Sequence, residues 1–319
     1  MTALVQSGQW GRARSLLEVM RVDGIEPSAS CYANLLTLLL TRLERKTSGE
    51  GEEGETDDPV YPWSEPTYEW DEVVSLVRDA RSALAGGVGV TEDMYLTALA
   101  VLQRVSKIAK RPKLVSLGVA PSPPPPPSRI FLERAECLVE WAFEDGIEAT
   151  PSLLSPAVAL SHAAQDAGKV FRYFEAMLEI DPSERGTLTT YASAYGMALD
   201  ACCYGNDPDR ALAYVQGMRS WVRFRPSPVH YEKAIRAMLA AGKCRESYQL
   251  LADAVENGAA KVEVYDAAIT ACALEGNSAQ AETLLRVMVD MGLRPGSETM
   301  RCGLPPIGLL ETWTAFVLS

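Results

Sequence analysis

A chain of 319 residues is long enough for one repeat array or two compact domains, and 47% hydrophobic with 23% charged residues is ordinary for a folded protein. Its formal charge of −12 argues against a phosphate-bearing partner only if the acidity is spread evenly, because phosphate binding is driven by Lys and Arg. The most apolar stretch, Leu35 to Leu40, falls far short of the roughly 20 residues a bilayer span needs, so no membrane insertion is expected.

In chain order, the first helical pattern covers Gln9 to Val22 and is closed by Gly24-Ile25-Glu26-Pro27. It reads as the second helix of a hairpin whose first helix is missing or supplied by something else, so residues 1–46 hold a partial unit and the start of a full one. The first twenty residues, Met1 to Met20, match neither an Arg- and Ser-rich transit peptide nor a secretory signal. A second helix begins at Ser30-Cys31-Tyr32 and is interrupted over 47–67, an acidic insertion expected to stay unfolded. Ten acids and no base lie between Thr47 and Glu72, and like charges with little apolar area to bury resist folding.

The helical pattern resumes near Tyr68 and fills 68–112, with a new unit opening at Asp93-Met94-Tyr95 and running to Lys107. Gly86-Gly87-Val88-Gly89 lacks the spacing and the preceding strand of a dinucleotide loop and reads as a turn. Over 113–128 the chain is Pro-rich, and Pro123 to Pro127 predicts a polyproline II loop. Ile130 to Glu144 is the next helix, closed by Gly146-Ile147-Glu148-Ala149, and Ser152 to Leu178 follows as a shorter pair lacking the recurring tyrosine at the start of its first helix.

The last part of the 129–300 segment repeats itself. Tyr195, Tyr231 and Tyr265 recur at 36 and 34 residues, as do Ala211, Ser247 and Ala281. Each unit reads as two helices. Asp207-Pro208, Ser227-Pro228 and Asn277-Ser278 are helix starts, since a side-chain oxygen satisfies a free N–H and proline suits the first helical position. Leu284, Met288 and Met291 stripe one helix of the final unit and Tyr265, Ile269 and Cys272 its partner, while the recurring small residues let the paired helices approach closely. Residues 301–319 depart from the pattern. The expected fold is all-α, an α-solenoid of stacked antiparallel helix hairpins.

The unit length and the closing Gly-Ile-Glu-Pro, Gly-Ile-Glu-Ala and Gly292-Leu293-Arg294-Pro295 segments resemble the pentatricopeptide-repeat family. That resemblance implies an RNA-contacting protein of a mitochondrion or plastid. It also implies that the fifth residue and the last residue of each repeat together read one base, which here are Gly196 with Ser227, Glu232 with Lys261, and Asp266 with Gly296. None is a usual pair. Glycine has no side-chain donor or acceptor, and a carboxylate only accepts and repels phosphate, so base-by-base readout is not expected.

Chemistry has little raw material. His162 and His230 are the two histidines of the chain, too few for a His-based metal cluster or a triad. His230-Tyr231-Glu232 matches the H-x-E of zinc deaminases, but no downstream P-C-x-x-C completes it. The seven cysteines form no CxxC and read as reduced, apolar fillers. Glu263 and Asp266 read as a solvated face. The expected protein is no enzyme and takes no cofactor, metal or small-molecule substrate.

The acidity is local. From Thr187 to Met300 eleven bases face thirteen acids, and the bases cluster at Arg219, Arg223, Arg225, Lys233, Arg236, Lys243 and Arg245, with Trp221 and Phe224 beside them. A smaller cluster holds Arg104, Lys107, Lys110, Arg111 and Lys113. Either could grip an RNA backbone, with an aromatic ring stacking a base, or be solvated charge at helix ends. Three readings follow: a scaffold subunit of an organellar ribonucleoprotein whose partners are RNA, proteins or both, a free sequence-selective RNA-binding factor, and a protein-only scaffold.

Overall fold

The computed structural model describes residues 4, 7–48, 67–83, 90–109, 127–180, 188–220 and 224–296. Among the described residues there are thirteen helices and no strand. They are α1 (Trp10–Val22), α2 (Ala29–Ser48), α3 (Thr67–Ala83), α4 (Glu92–Ala109), α5 (Pro127–Glu144), α6 (Pro151–Ala163) and α7 (Ala167–Glu179). The series continues with α8 (Leu188–Tyr204), α9 (Pro208–Ser220), α10 (Pro228–Ala240), α11 (Cys244–Glu256), α12 (Val262–Glu275) and α13 (Ser278–Asp290). The chain divides into two compact units, 1–191 and 192–319.

In the first unit α2·α3, α4·α5 and α6·α7 are hairpins, and α1 packs on α2 as an unpaired second helix. The first helices of successive hairpins also touch each other, α2 on α4 and α4 on α6, while α3 touches α5. In the second unit α10·α11 and α12·α13 are hairpins, with α10 on α12 and α9 on α10. The all-α hairpin stacking expected from the sequence is what the chain adopts.

One register repeats through the first helices. The fourth residue of α2, α4, α10 and α12 is a tyrosine, Tyr32, Tyr95, Tyr231 and Tyr265, and each is at most 2% exposed. α6 puts Leu154 there instead, 1% exposed. α8 begins a turn early, so both Tyr191 and Tyr195 are buried. A tyrosine at this point buries a large ring while its hydroxyl reaches the edge of the hairpin.

The turns follow the local chemistry of the sequence. Gly24, Gly146 and Gly292 sit at φ of 71°, 79° and 73°, the left-handed conformation that only glycine adopts without strain. The residue after each donates its N–H back into the helix just ended, as Ile25 does to the Met20 carbonyl at 2.8 Å. Thr150 Oγ1 caps α6 by accepting from Leu153 N at 3.2 Å, and Asp207 caps α9 by accepting from Arg210 N at 3.1 Å.

The structure shifts several sequence boundaries. Thr47 and Ser48 belong to α2, Thr67 to α3, and Pro127 and Ser128 to α5, since a proline is tolerated in the first turn of a helix. The rest of the acidic insertion and of the Pro-rich segment, the glycine run at 86–89 and the 301–319 tail lie outside the described residues. The expected Leu284–Met288–Met291 stripe is also corrected. Ala281, Leu285 and Met288 are the buried face of α13, whereas Met291 is 55% exposed at the helix end.

Candidate nucleic-acid interface

Every base-reading position named from the sequence lies in the second unit, and nearly all are occupied by the protein's own groups. Asp266, on α12, accepts the Gly296 backbone N–H with both carboxylate oxygens at 3.1 Å. The fifth and last positions of that repeat are thus bonded to each other, and a Cβ at Gly296 would collide with the same carboxylate. The reading of Asp266 as a merely solvated acid is corrected by this contact.

Glu232, on α10, pairs with Arg236 one turn on at 3.0 Å. At Gly196, on α8, the neighbour is Lys233 of α10. Its ammonium donates to the Gly196 carbonyl at 3.0 Å and to Asp200 at 2.6 Å. Lys261 is exposed at the start of α12.

Ser227 starts α10, and its backbone N–H donates to His230 Nδ1 at 3.0 Å. Because Nδ1 accepts that bond, Nε2 carries the proton, and it donates to the Ala192 carbonyl at 3.0 Å. Burial, the largest influence, lowers the His230 pKa below the usual imidazole value. With both ring nitrogens engaged in holding α10 on α8, His230 has no lone pair for a metal. Among the described residues no three His, Cys, Asp or Glu side chains converge as a metal site, and no helix is long and apolar enough to cross a membrane.

The described cations of the basic cluster sit on different helices, and most are bonded to a carboxylate. Arg219 lies on the second helix α9 and Lys243 at the N-cap of α11, where Arg219 bonds Asp253 at 2.6 Å and Lys243 bonds Asp209 at 2.6 Å. Lys233 and Arg236 lie on the first helix α10, bonded to Asp200 and Glu232. Arg225 is exposed in the turn before α10 and Arg245 in the first turn of α11, and among the described residues neither has a carboxylate partner. Trp221 and Arg223 lie outside the described residues. Phe224 is 7% exposed and stacks on Tyr195 at a centroid distance of 5.6 Å, so it is core rather than a ring for a base. Of the smaller cluster, Arg104 lies in α4, while Lys110, Arg111 and Lys113 fall outside the described residues.

A grouping the sequence reading missed recurs at three junctions. Arg21 of α1 reaches Tyr32 at 3.5 Å and Asp79 of α3 at 2.6 Å. Arg81 of α3 reaches Asp145 at 2.9 Å beside Tyr95, which also bonds Asp145. Arg219 of α9 reaches Asp253 of α11, and Tyr231 accepts from Asn257 there at 3.2 Å. An arginine ending one second helix is tied to an acid near the end of the next, next to the buried tyrosine of the intervening first helix. At the third junction the legible signal was opposite charge one repeat apart, 34 residues between Arg219 and Asp253, a spacing shared by the separate pairs Asp209–Lys243 and Asp200–Lys233 at 34 and 33 residues. An open depression of about 360 Å³ at Arg21, Tyr32 and Asp79 is lined by groups already bonded to one another.

The family model described as PPR repeat matches residues 1–25, the stretch that holds α1 and its closing Gly24. No curated protein matches the chain. Among solved structures, the maize pentatricopeptide repeat protein PPR10 is 14% identical over 95% of this chain and 54% of that one, with a TM-score of 0.33. PPR10 in complex with an 18-nt psaJ RNA element is 15% identical, covering 95% and 56%, with a TM-score of 0.32. The chain therefore spans about half the length of PPR10. The PPR domain of Arabidopsis thaliana protein-only RNase P 1 in complex with tRNA is 15% identical over 87% of this chain and 97% of that one, with a TM-score of 0.35. The chain is thus an all-helical protein of stacked hairpins in which residues 1–25, with α1 and its closing Gly24, match the PPR repeat.

Proposed function

We propose that this protein is a non-catalytic helical-repeat scaffold, a subunit of an organellar ribonucleoprotein of mitochondrion or plastid, that touches RNA without reading it base by base. The observation that supports this reading is the internal closure of the base-reading positions: Asp266 on Gly296, Glu232 on Arg236, and Lys233 across Gly196. A base arriving there would have to displace a charged hydrogen bond within the protein, and it would regain only bonds of similar strength. The repeat matched at residues 1–25 is what brings RNA into the reading. Phosphate contacts are then assigned to the bases with no carboxylate partner among the described residues, Arg225 and Arg245, and to Arg223.

A second reading, a scaffold for proteins alone, is favoured by a different observation. Arg219, Lys233, Arg236 and Lys243 are each neutralised by a carboxylate, which lowers the positive field a phosphate would meet. Purification of the tagged protein from organelle lysate with and without ribonuclease separates the two. Structural RNA recovered together with many proteins, and lost with them after ribonuclease, supports the ribonucleoprotein subunit. Proteins retained after ribonuclease with no RNA at any stage select the protein scaffold, and one enriched messenger would overturn both.

A further inference from the structure

Several described cations of this array are tied to acids, and Lys233 bonds a backbone carbonyl as well as an acid. It leaves α10, crosses to α8, and places its ammonium on the carbonyl of Gly196, the residue standing at the fifth position of the preceding repeat. Asp200, one turn further along α8, holds the ammonium there at 2.6 Å. A Cβ at Gly196 would lie 3.5 Å from that nitrogen, so any side chain there would meet the ammonium first. Lys233 and Asp200 are both partly buried, with side chains 24% and 33% exposed.

We infer that Lys233 is a specificity-determining residue whose ammonium occupies the base-reading position of the neighbouring repeat, so that the repeat of Tyr195 is silent because it is blocked and not only because it carries glycine. The inference rests on the RNA-contacting reading above. Glycine alone would leave an open gap against which a base edge could still lie. The Lys233–Asp200 pair fills that gap with a charge already bonded to one carbonyl and one carboxylate, so a base edge would have to compete with those bonds to lie there. An asparagine placed at 196 with Lys233 intact would give its amide oxygen to the same ammonium. Two changes are therefore needed to restore readout, one to supply an amide and one to remove the ammonium.

The test uses the full chain and three labelled single-stranded RNAs, oligo(A), oligo(C) and oligo(U), with affinity measured by fluorescence anisotropy for wild type, Gly196→Asn, Lys233→Met and the double variant. Methionine keeps the apolar stem of the lysine, and circular dichroism melts establish that each variant folds. Wild type and both single variants are expected to bind the three RNAs alike. The double variant is expected to separate them by about fivefold, the size of one net hydrogen bond. A preference already present in Gly196→Asn overturns the assignment, because Lys233 then blocks nothing. Retained binding with no preference in the folded double variant also overturns it, while leaving the RNA-contacting reading intact. Failure of all four proteins to bind any RNA at moderate salt overturns that reading itself, and the inference with it.

Discussion

At the scale of single residues, small side chains and one histidine carry the sharpest expectations. Ala281 is fully buried where α13 faces α12, so Ala281→Leu is expected to destabilise the protein by about 1–3 kcal/mol through overpacking, read as a lower thermal midpoint. Its predecessor Ser247 is equally buried in α11, which the recurrence of small residues anticipated. His230 is the other case. Burial lowers its folded-state pKa, so the neutral ring is favoured by the fold. The stability it contributes is present above the unfolded imidazole value of about 6.5 and is lost as pH falls from there through the depressed folded value. Urea midpoints measured across that range should fall more steeply in wild type than in His230→Gln. The cysteines are quieter, since burial pushes the Cys202 thiol up to about 12 and the Cys203 thiol to about 11, and neither is expected to react with a thiol probe near neutral pH in the folded protein.

Between helices, the recurring arginine–acid contacts differ in what surrounds them, and that decides their worth. Arg219 and Asp253 are 40% and 33% exposed, so Arg219→Ala should cost about 0.2–1 kcal/mol. Arg81 is 23% and Asp145 9% exposed. Asp145 takes Arg81 through both Nε and Nη2 and bonds the buried Tyr95 as well, and Arg81 lies 5.1 Å above the Trp141 ring. Removing Asp145 would leave a guanidinium and a phenol without their shared acceptor, so Asp145→Ala is expected to cost about 1–3 kcal/mol. Chemical denaturation of the two variants side by side should rank them in this order, and equal losses would mean that burial does not set the strength of these junctions.

Over the whole molecule, the −12 charge misstates what a ligand meets, because the acids of the 47–72 stretch and those bonded to Arg and Lys contribute differently. If Arg225 and Arg245 hold phosphates, changing both to Ala should weaken binding to every single-stranded RNA alike. It should also reduce the salt slope by nearly two contacts, at about 0.7 log units per phosphate on single strands. The same pair of changes at Arg219 and Lys243, already bonded to Asp253 and Asp209, should leave the slope almost unchanged. Filter binding across a salt series distinguishes the two pairs.

The sequence by itself determined the helices, their hairpin pairing and the tyrosine register, because each depends on local chemistry: apolar period, a capping oxygen, a glycine able to turn left-handed. It also flagged Gly196, Glu232 and Asp266 as unlikely base readers from residue type alone. Only the tertiary structure decided what those positions do instead. Lys233 reaches Gly196 and Asp200, and Asp266 meets Gly296, across 37, 33 and 30 residues of chain. Such contacts exist only once neighbouring helices are stacked at a fixed offset. The same stacking divided a basic cluster that looked continuous in the sequence between α9 and α11 on one side and α10 on the other, since helices alternating in a hairpin array send adjacent stretches of chain to different faces.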